Sequence, residues 1–180
     1  MRARAAVYPL PVSGHHPNFR GAGAAADLLV ALLIDSETVR PGDTVLSYPD
    51  YVLRPVRKRL LEAGADLLVP AKYGRGYRLL KSGLVAPHAS SSIAGAERQG
   101  ILLEELGEVR LVLVACVAFD GEGHWLSKGY GFQLPERVRR LASATIVHPL
   151  QQVASLPVYD GRVTFMATPD KVSNLSASRR

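Results

Sequence analysis

The chain has 180 residues, 47% hydrophobic and 21% charged, a balance that excludes disordered and collagen-like classes and suffices for one domain with a continuous core. A single cysteine, Cys116 within the apolar run 112–117, excludes a disulfide-stapled scaffold and reads as a small buried residue in a reducing compartment. No apolar run reaches the length of a bilayer span and the start leads into prolines, so a cytoplasmic protein without a membrane segment is expected; the net charge of +6 favours anionic partners such as nucleotides, polyglutamylated cofactors or nucleic acid.

In chain order, residues 1–20 form an irregular arm, because Tyr8-Pro9-Leu10-Pro11 and Gly14-His15-His16-Pro17 cannot extend a helix. Beyond Gly21 and Gly23, Leu28, Leu29, Leu32 and Leu33 share one helical face, which predicts a helix ending near Asp35. Pro41-Gly42-Asp43 makes a turn, and the β-rich run Thr44-Val45-Leu46-Ser47-Tyr48 predicts a buried strand with Asp50 at its carboxyl end. A second helix is predicted over 54–63, with Pro55 in its first turn and Gly64 as its stop. Val56, Leu60 and Leu61 face inward in this reading, and Arg54, Arg57, Lys58 and Arg59 form a solvated outer face.

Asp66-Leu67-Leu68-Val69-Pro70 predicts the next strand. Residues 71–91 read as a long excursion around Tyr73-Gly74-Arg75-Gly76-Tyr77, followed by an amphipathic helix over 92–106. The apolar run 110–119 predicts a central strand covered on both faces. After it come a glycine-punctuated loop to Phe132, a helix starting near Pro135, strands over 145–147 and 163–167, and a loose tail over 173–180. Strands alternating with helices at this spacing predict a single α/β domain with a mainly parallel sheet and ligands at the carboxyl ends of its strands.

Lys128-Gly129-Tyr130-Gly131-Phe132 follows the predicted central strand and precedes a predicted helix. Glycine lets backbone amides approach anionic oxygens, and a lysine adds positive charge, so the loop is a candidate phosphate cradle. The alternative is an ordinary surface turn. Asp50 can cap the helix that follows it, and Asp120 can shape the turn after its strand. The five histidines show no spacing that repeats on a helix or pairs with cysteines, so no metal ligands are expected among them.

Four places together resemble the 5-formyltetrahydrofolate cyclo-ligase family, also called methenyltetrahydrofolate synthetases: Asp50 followed by Arg54-Pro55, Phe119-Asp120 with Gly123, the loop 128–132, and Thr168-Pro169. The likeness runs from about Tyr8 to Val172. Pro17-Asn18-Phe19-Arg20-Gly21, Arg54-Pro55-Val56-Arg57 and the Lys-Gly-x-Gly-aromatic loop are similar to a divergent branch of that family found in archaea and in animal proteins containing the domain.

The resemblance implies a three-layer α/β fold of the broad kind shared with ribose-phosphate isomerases and CoA transferases. It implies an ATP- and magnesium-dependent conversion of 5-formyltetrahydrofolate to 5,10-methenyltetrahydrofolate. Lys128, Gly129, Tyr130, Gly131 and Phe132, with Arg57 or Arg75, would then hold phosphate or a glutamate tail. Asp50, Asn18 and Phe19 would hold the folate, with Phe19 offering a flat ring face at the entrance. The sequence departs from the family at Trp125, Ser127 and Leu134, where the family has an arginine, a glycine and a metal-associated aspartate. The family's opening helix, with its lysine and arginine, is expected to be missing, which leaves a non-catalytic nucleotide- or RNA-binding module as the second reading.

Overall fold

The computed structural model describes residues 5–10 and 13–176, so the expected arm and tail lie partly outside the described residues. Gly21, at φ 93°, turns the chain into helix α1 (Ala22–Asp35), where Ala22, Ala25, Ala26, Leu29, Val30 and Leu33 repeat at three- and four-residue spacing and are buried. Strand β1 (Thr44–Ser47) follows, then helix α2 (Arg54–Glu62), which carries Pro55 in its first turn. Gly64, at φ 91°, stops α2 in a left-handed conformation that a side chain disfavours. Strand β2 (Asp66–Pro70) closes this β-α-β unit and pairs parallel to β1, with Val45 opposite Leu67.

The excursion expected over 71–91 contains a strand: β3 (Tyr77–Leu80) returns antiparallel to β2, so Arg75 sits on the hairpin between them. Short helices α3 (Pro87–Ser90) and α4 (Ile93–Gln99) follow. The helix expected over 92–106 ends at Gln99, and β4 (Ile101–Leu103) pairs antiparallel to β3. Gly100 gives the reason, since a Cβ there would lie 2.7 Å from Ala96 O and 2.8 Å from Arg78 Cβ.

The apolar run 110–119 divides between two sheets. Strand β5 (Leu111–Leu113) lies beside β1 in the large sheet, and β6 (Ala118–Phe119) belongs to a small sheet with β7 (His124–Leu126) and β9 (Gly161–Arg162). The residues between them, Val114, Ala115 and Cys116, stay buried, so hydrophobicity does not betray the bend. Full burial of the Val114 side chain contributes roughly 1.5–3 kcal/mol, and that of a single methyl such as Ala115 about 0.8 kcal/mol. The helix expected near Pro135 is a single 3-10 turn over Glu136–Val138. Strands β8 (Ser143–Ile146) and β10 (Phe165–Thr168) extend the large sheet, and β11 (Lys171–Asn174) pairs antiparallel to β10, which places part of the expected loose tail in a strand.

The large sheet has the order β11-β10-β8-β5-β1-β2-β3-β4. Its middle five strands, β10 to β2, are parallel, and the edges are antiparallel, as a mainly parallel α/β sheet requires. From β1 the chain advances to β2 on one side; from β5 it advances to β8 and β10 on the other. Because crossovers between parallel strands are right-handed, these opposite progressions cover opposite faces of the sheet and give three layers. The carboxyl ends of β1 and β5 therefore flank the point where strand order reverses, the place in such sheets where a crevice opens.

Candidate functional site

Asp50 emerges from β1 at that reversal point. Its Oδ1 accepts a hydrogen bond from His16 Nδ1 at 2.7 Å and lies 3.7 Å from Lys128 Nζ. The same His16 ring accepts the Lys128 backbone N–H at Nε2, 3.3 Å away. An accepting Nε2 fixes the proton on Nδ1, so one imidazole links the carboxylate at the end of β1 to the glycine loop. Burial pushes the Asp50 carboxyl up, but the hydrogen bond from His16, with the charges of Lys128 and Arg57, holds it below its ordinary value. His16 is 3% exposed and packs edge-on against Tyr48, at 6.2 Å between ring centres.

The loop itself is open. Gly129 and Gly131 adopt φ values of 79° and 92°. A Cβ at Gly129 would meet nothing within 4 Å, and one at Gly131 would meet only the end of the Lys128 side chain. The Gly129 amide donates to Ser127 Oγ at 3.2 Å, while the amides of Tyr130 and Gly131 have no acceptor among the described residues. Lys128 Nζ stands 5.0 Å from the centre of the exposed Tyr130 ring. Phe132 is half-buried and meets Tyr48 edge-on at 5.2 Å, so it anchors the loop to the core.

Arg57 corrects the expectation of a solvated cationic face. It is 1% exposed, and its guanidinium is committed to the backbone: Nε donates to Ser91 O at 2.8 Å, and Nη1 donates to Tyr48 O at 2.8 Å and Asp50 O at 3.1 Å. Burial lowers its pKa to about 10, with Asp50 acting in the opposite sense. Arg57 therefore ties the exit of β1 to the turn after α3 through Nε and Nη1. Arg75, exposed on the β2–β3 hairpin, makes no hydrogen bond or ion pair with Asp50, His16 or the loop. Neither arginine makes a hydrogen bond or ion pair with the loop 128–132 among the described residues.

Next to Asp50 a cleft of about 360 Å³ opens between the first turns of α1 and α2, with Asn18, Tyr51, Arg54, Lys58 and His88 among its lining residues. Asn18 is 8% exposed and donates from Nδ2 to Tyr8 O at 2.7 Å, which fixes the arm across the cleft. Phe19 also borders the cleft, but at 2% exposure its ring is core, edge-on to His148 at 5.6 Å, and offers no free face to a ligand. Arg54 makes only a 3.4 Å contact to His88 O, and Lys58 pairs with Glu62 at 3.3 Å. Both cations thus remain able to meet an anion.

Asp120 proves to be a turn-former. Its Oδ1 accepts from the Glu122 and His124 amides at 3.0 Å each, and its Oδ2 accepts from His124 Nδ1 at 3.0 Å and the Leu156 amide at 3.3 Å. Burial raises its pKa, but the His124 side chain and these amides bring the carboxyl below its ordinary value. Trp125 is buried packing against Tyr48. The residue that sequence reading missed is His16: its partners lie 34 and 112 positions away, and no local spacing signals them.

Among the described residues, no group of three His, Cys, Asp or Glu side chains converges as a metal site, and no helix is long and apolar enough to cross a membrane. No protein-family model and no curated protein sequence matches the chain. Among solved structures, the NMR structure of the 5,10-methenyltetrahydrofolate synthetase of Aquifex aeolicus is similar over 95% of this chain and 88% of that one, at 21% identity and a TM-score of 0.57. A glutamate dehydrogenase covers 78% of this chain and 34% of that one at 13% identity, but its TM-score of 0.37 carries no structural weight. The chain has the α/β fold of the methenyltetrahydrofolate synthetase structure, with its mainly parallel eight-stranded sheet.

Proposed function

We propose that the chain is a cyclo-ligase-like protein that binds ATP at the loop 128–132 and a reduced folate beside Asp50, and converts 5-formyltetrahydrofolate to 5,10-methenyltetrahydrofolate. The observation that carries this reading is the 3.7 Å approach of Lys128 to Asp50 across the reversal point of the sheet, with the open glycine loop attached to the same lysine. ATP would supply the phosphoryl group that makes the formyl oxygen a leaving group.

The chain's own residues do the positioning. The amides of Tyr130 and Gly131, without an acceptor among the described residues, would point at phosphate oxygens, and Lys128 would turn part of its charge from Asp50 to them. Asp50, held ionised by His16, would accept N–H groups of the ligand ring. Arg54 and Lys58, facing the adjacent cleft, would receive its carboxylates. Among the described residues no carboxylates converge to hold magnesium, so it would arrive with the nucleotide, and no step is assigned to a protein-bound ion.

The test is to mix the full chain with 5-formyltetrahydrofolate, ATP and magnesium and to follow methenyl absorbance. Absorbance that grows only with ATP present, and is lost in Lys128→Ala, is the expected result. No absorbance and no binding of either compound would overturn the reading.

A further inference from the structure

At the other end of the sheet lies a cavity that the proposed reaction does not use. Arg139 and Arg140 precede β8, Arg162 and Thr164 precede β10, and Ser176 follows β11, which runs antiparallel to β10. Three separate segments therefore meet at the amino ends of β8 and β10, opposite the end that carries Asp50. There they line a cavity of about 460 Å³.

The charge in that cavity is poorly compensated. Arg139 has one carboxylate partner, the exposed Glu136, at 3.3 Å. Arg162 uses Nε on the backbone carbonyl of Glu122 at 2.6 Å, which holds the side chain in place and leaves both terminal amino groups without a partner among the described residues. Arg140 has no ion pair or hydrogen bond among the described residues. Three arginines thus line one concavity with one paired carboxylate, and no acidic residue lines it among the described residues. Like charges in a concave, partly desolvated site focus the potential and attract anions.

The lining also indicates what kind of anion. Guanidinium forks match the paired oxygens of phosphate, and the hydroxyls of Thr164 and Ser176 add neutral donors. No aromatic side chain lines the cavity, so a nucleobase would find no surface for stacking. We infer that this cavity is a second anion site, for at least two adjacent phosphate groups, supplied either by a free diphosphate-type anion or by a phosphodiester backbone.

The experiment titrates inorganic pyrophosphate calorimetrically into the full chain carrying Lys128→Ala, which silences the loop at the opposite end. Binding is expected there, and at least tenfold weaker binding when Arg140→Ala and Arg162→Ala are added. Arg140→Gln alone, at a residue with no hydrogen-bond or ion-pair partner among the described residues, gives a smaller loss in the same direction and guards against misfolding of the multiple variant. A short oligouridylate that displaces pyrophosphate assigns the site to phosphodiester; failure to displace it assigns the site to the free anion. No pyrophosphate binding, or binding that is indifferent to the arginines, overturns the inference. Methenyl formation plays no part in this readout, so it stands or falls separately from the proposed reaction.

Discussion

Arg57 shows how much a single side chain can be asked to hold. Removing it leaves Ser91 O without its donor and takes one donor each from Tyr48 O and Asp50 O, which keep Ser47 Oγ and the Leu53 amide, at roughly 1.5–3 kcal/mol for each hydrogen bond to a charged group. We predict that Arg57→Leu lowers stability by about 3 kcal/mol or more in chemical denaturation, and that Arg57→Lys does not restore it, because one ammonium cannot span carbonyls that the planar fork reaches together. A loss below about 1 kcal/mol would contradict the tie between β1 and α3. From sequence, Arg57 within Arg54-Pro55-Val56-Arg57-Lys58-Arg59 looks like another surface cation. Its burial follows from tertiary packing, which a charge pattern does not encode.

Asp50 and Asp120 bear on pH at the same scale. Both carboxyls are held below their ordinary values in the folded chain, so the unfolded chain binds more protons as pH falls through the carboxylate range. The stabilisation they give is complete above the unfolded value of about 3.9 and is lost as pH drops through the lower, folded values. Unfolding midpoints measured between neutral pH and the acid limb should therefore decline, and Asp120→Asn, whose amide does not titrate, should decline less steeply. Equal slopes would show that Asp120 is not stabilised as its four hydrogen bonds imply.

Among the elements, those with a strong period were legible and those defined by their partners were not. Helix α1 and strands β1 and β2 stood out because each buries one regular face or run and ends at a turn residue. Strand β3 did not, since Tyr77-Arg78-Leu79-Leu80 becomes a strand only by pairing with β2 and β4. The glycines before it carry the missing information: a Cβ at Gly76 would stand 2.1 Å from Leu103 O, where backbone cannot yield. We predict that Gly76→Ala, also strained at φ 92°, destabilises the chain by about 2 kcal/mol or more and raises amide exchange selectively in β3 and β4. Uniform exchange across the large sheet would argue against a hairpin edge pinned at this point.

The glycine loop belongs to this scale too. Its spacing was readable, but its attachment was not, because His16 reaches it from the arm. His16→Phe keeps an aromatic volume while removing both hydrogen bonds, so amide exchange at Lys128 and Gly129 should quicken with little change in the sheet. Unchanged exchange in the loop would mean that His16 does not restrain it.

For the whole molecule, alternating strands and helices sufficed to anticipate a mainly parallel sheet. Strand order did not follow from them: the apolar run 110–119 reads as one strand, yet the chain leaves the large sheet after Leu113 and enters the small one at Ala118. That departure brings Lys128 back over the end of β1, where Asp50 and His16 wait. The most direct measurement is a titration of the isotope-labelled chain with ATP, following each backbone amide by NMR. The amides of residues 128–131 should shift together with that of Asp50, and Asp50→Asn should alter the Lys128 response. Shifts confined to other parts of the chain, or none at saturating ATP, would contradict a phosphate site at the reversal point of the sheet.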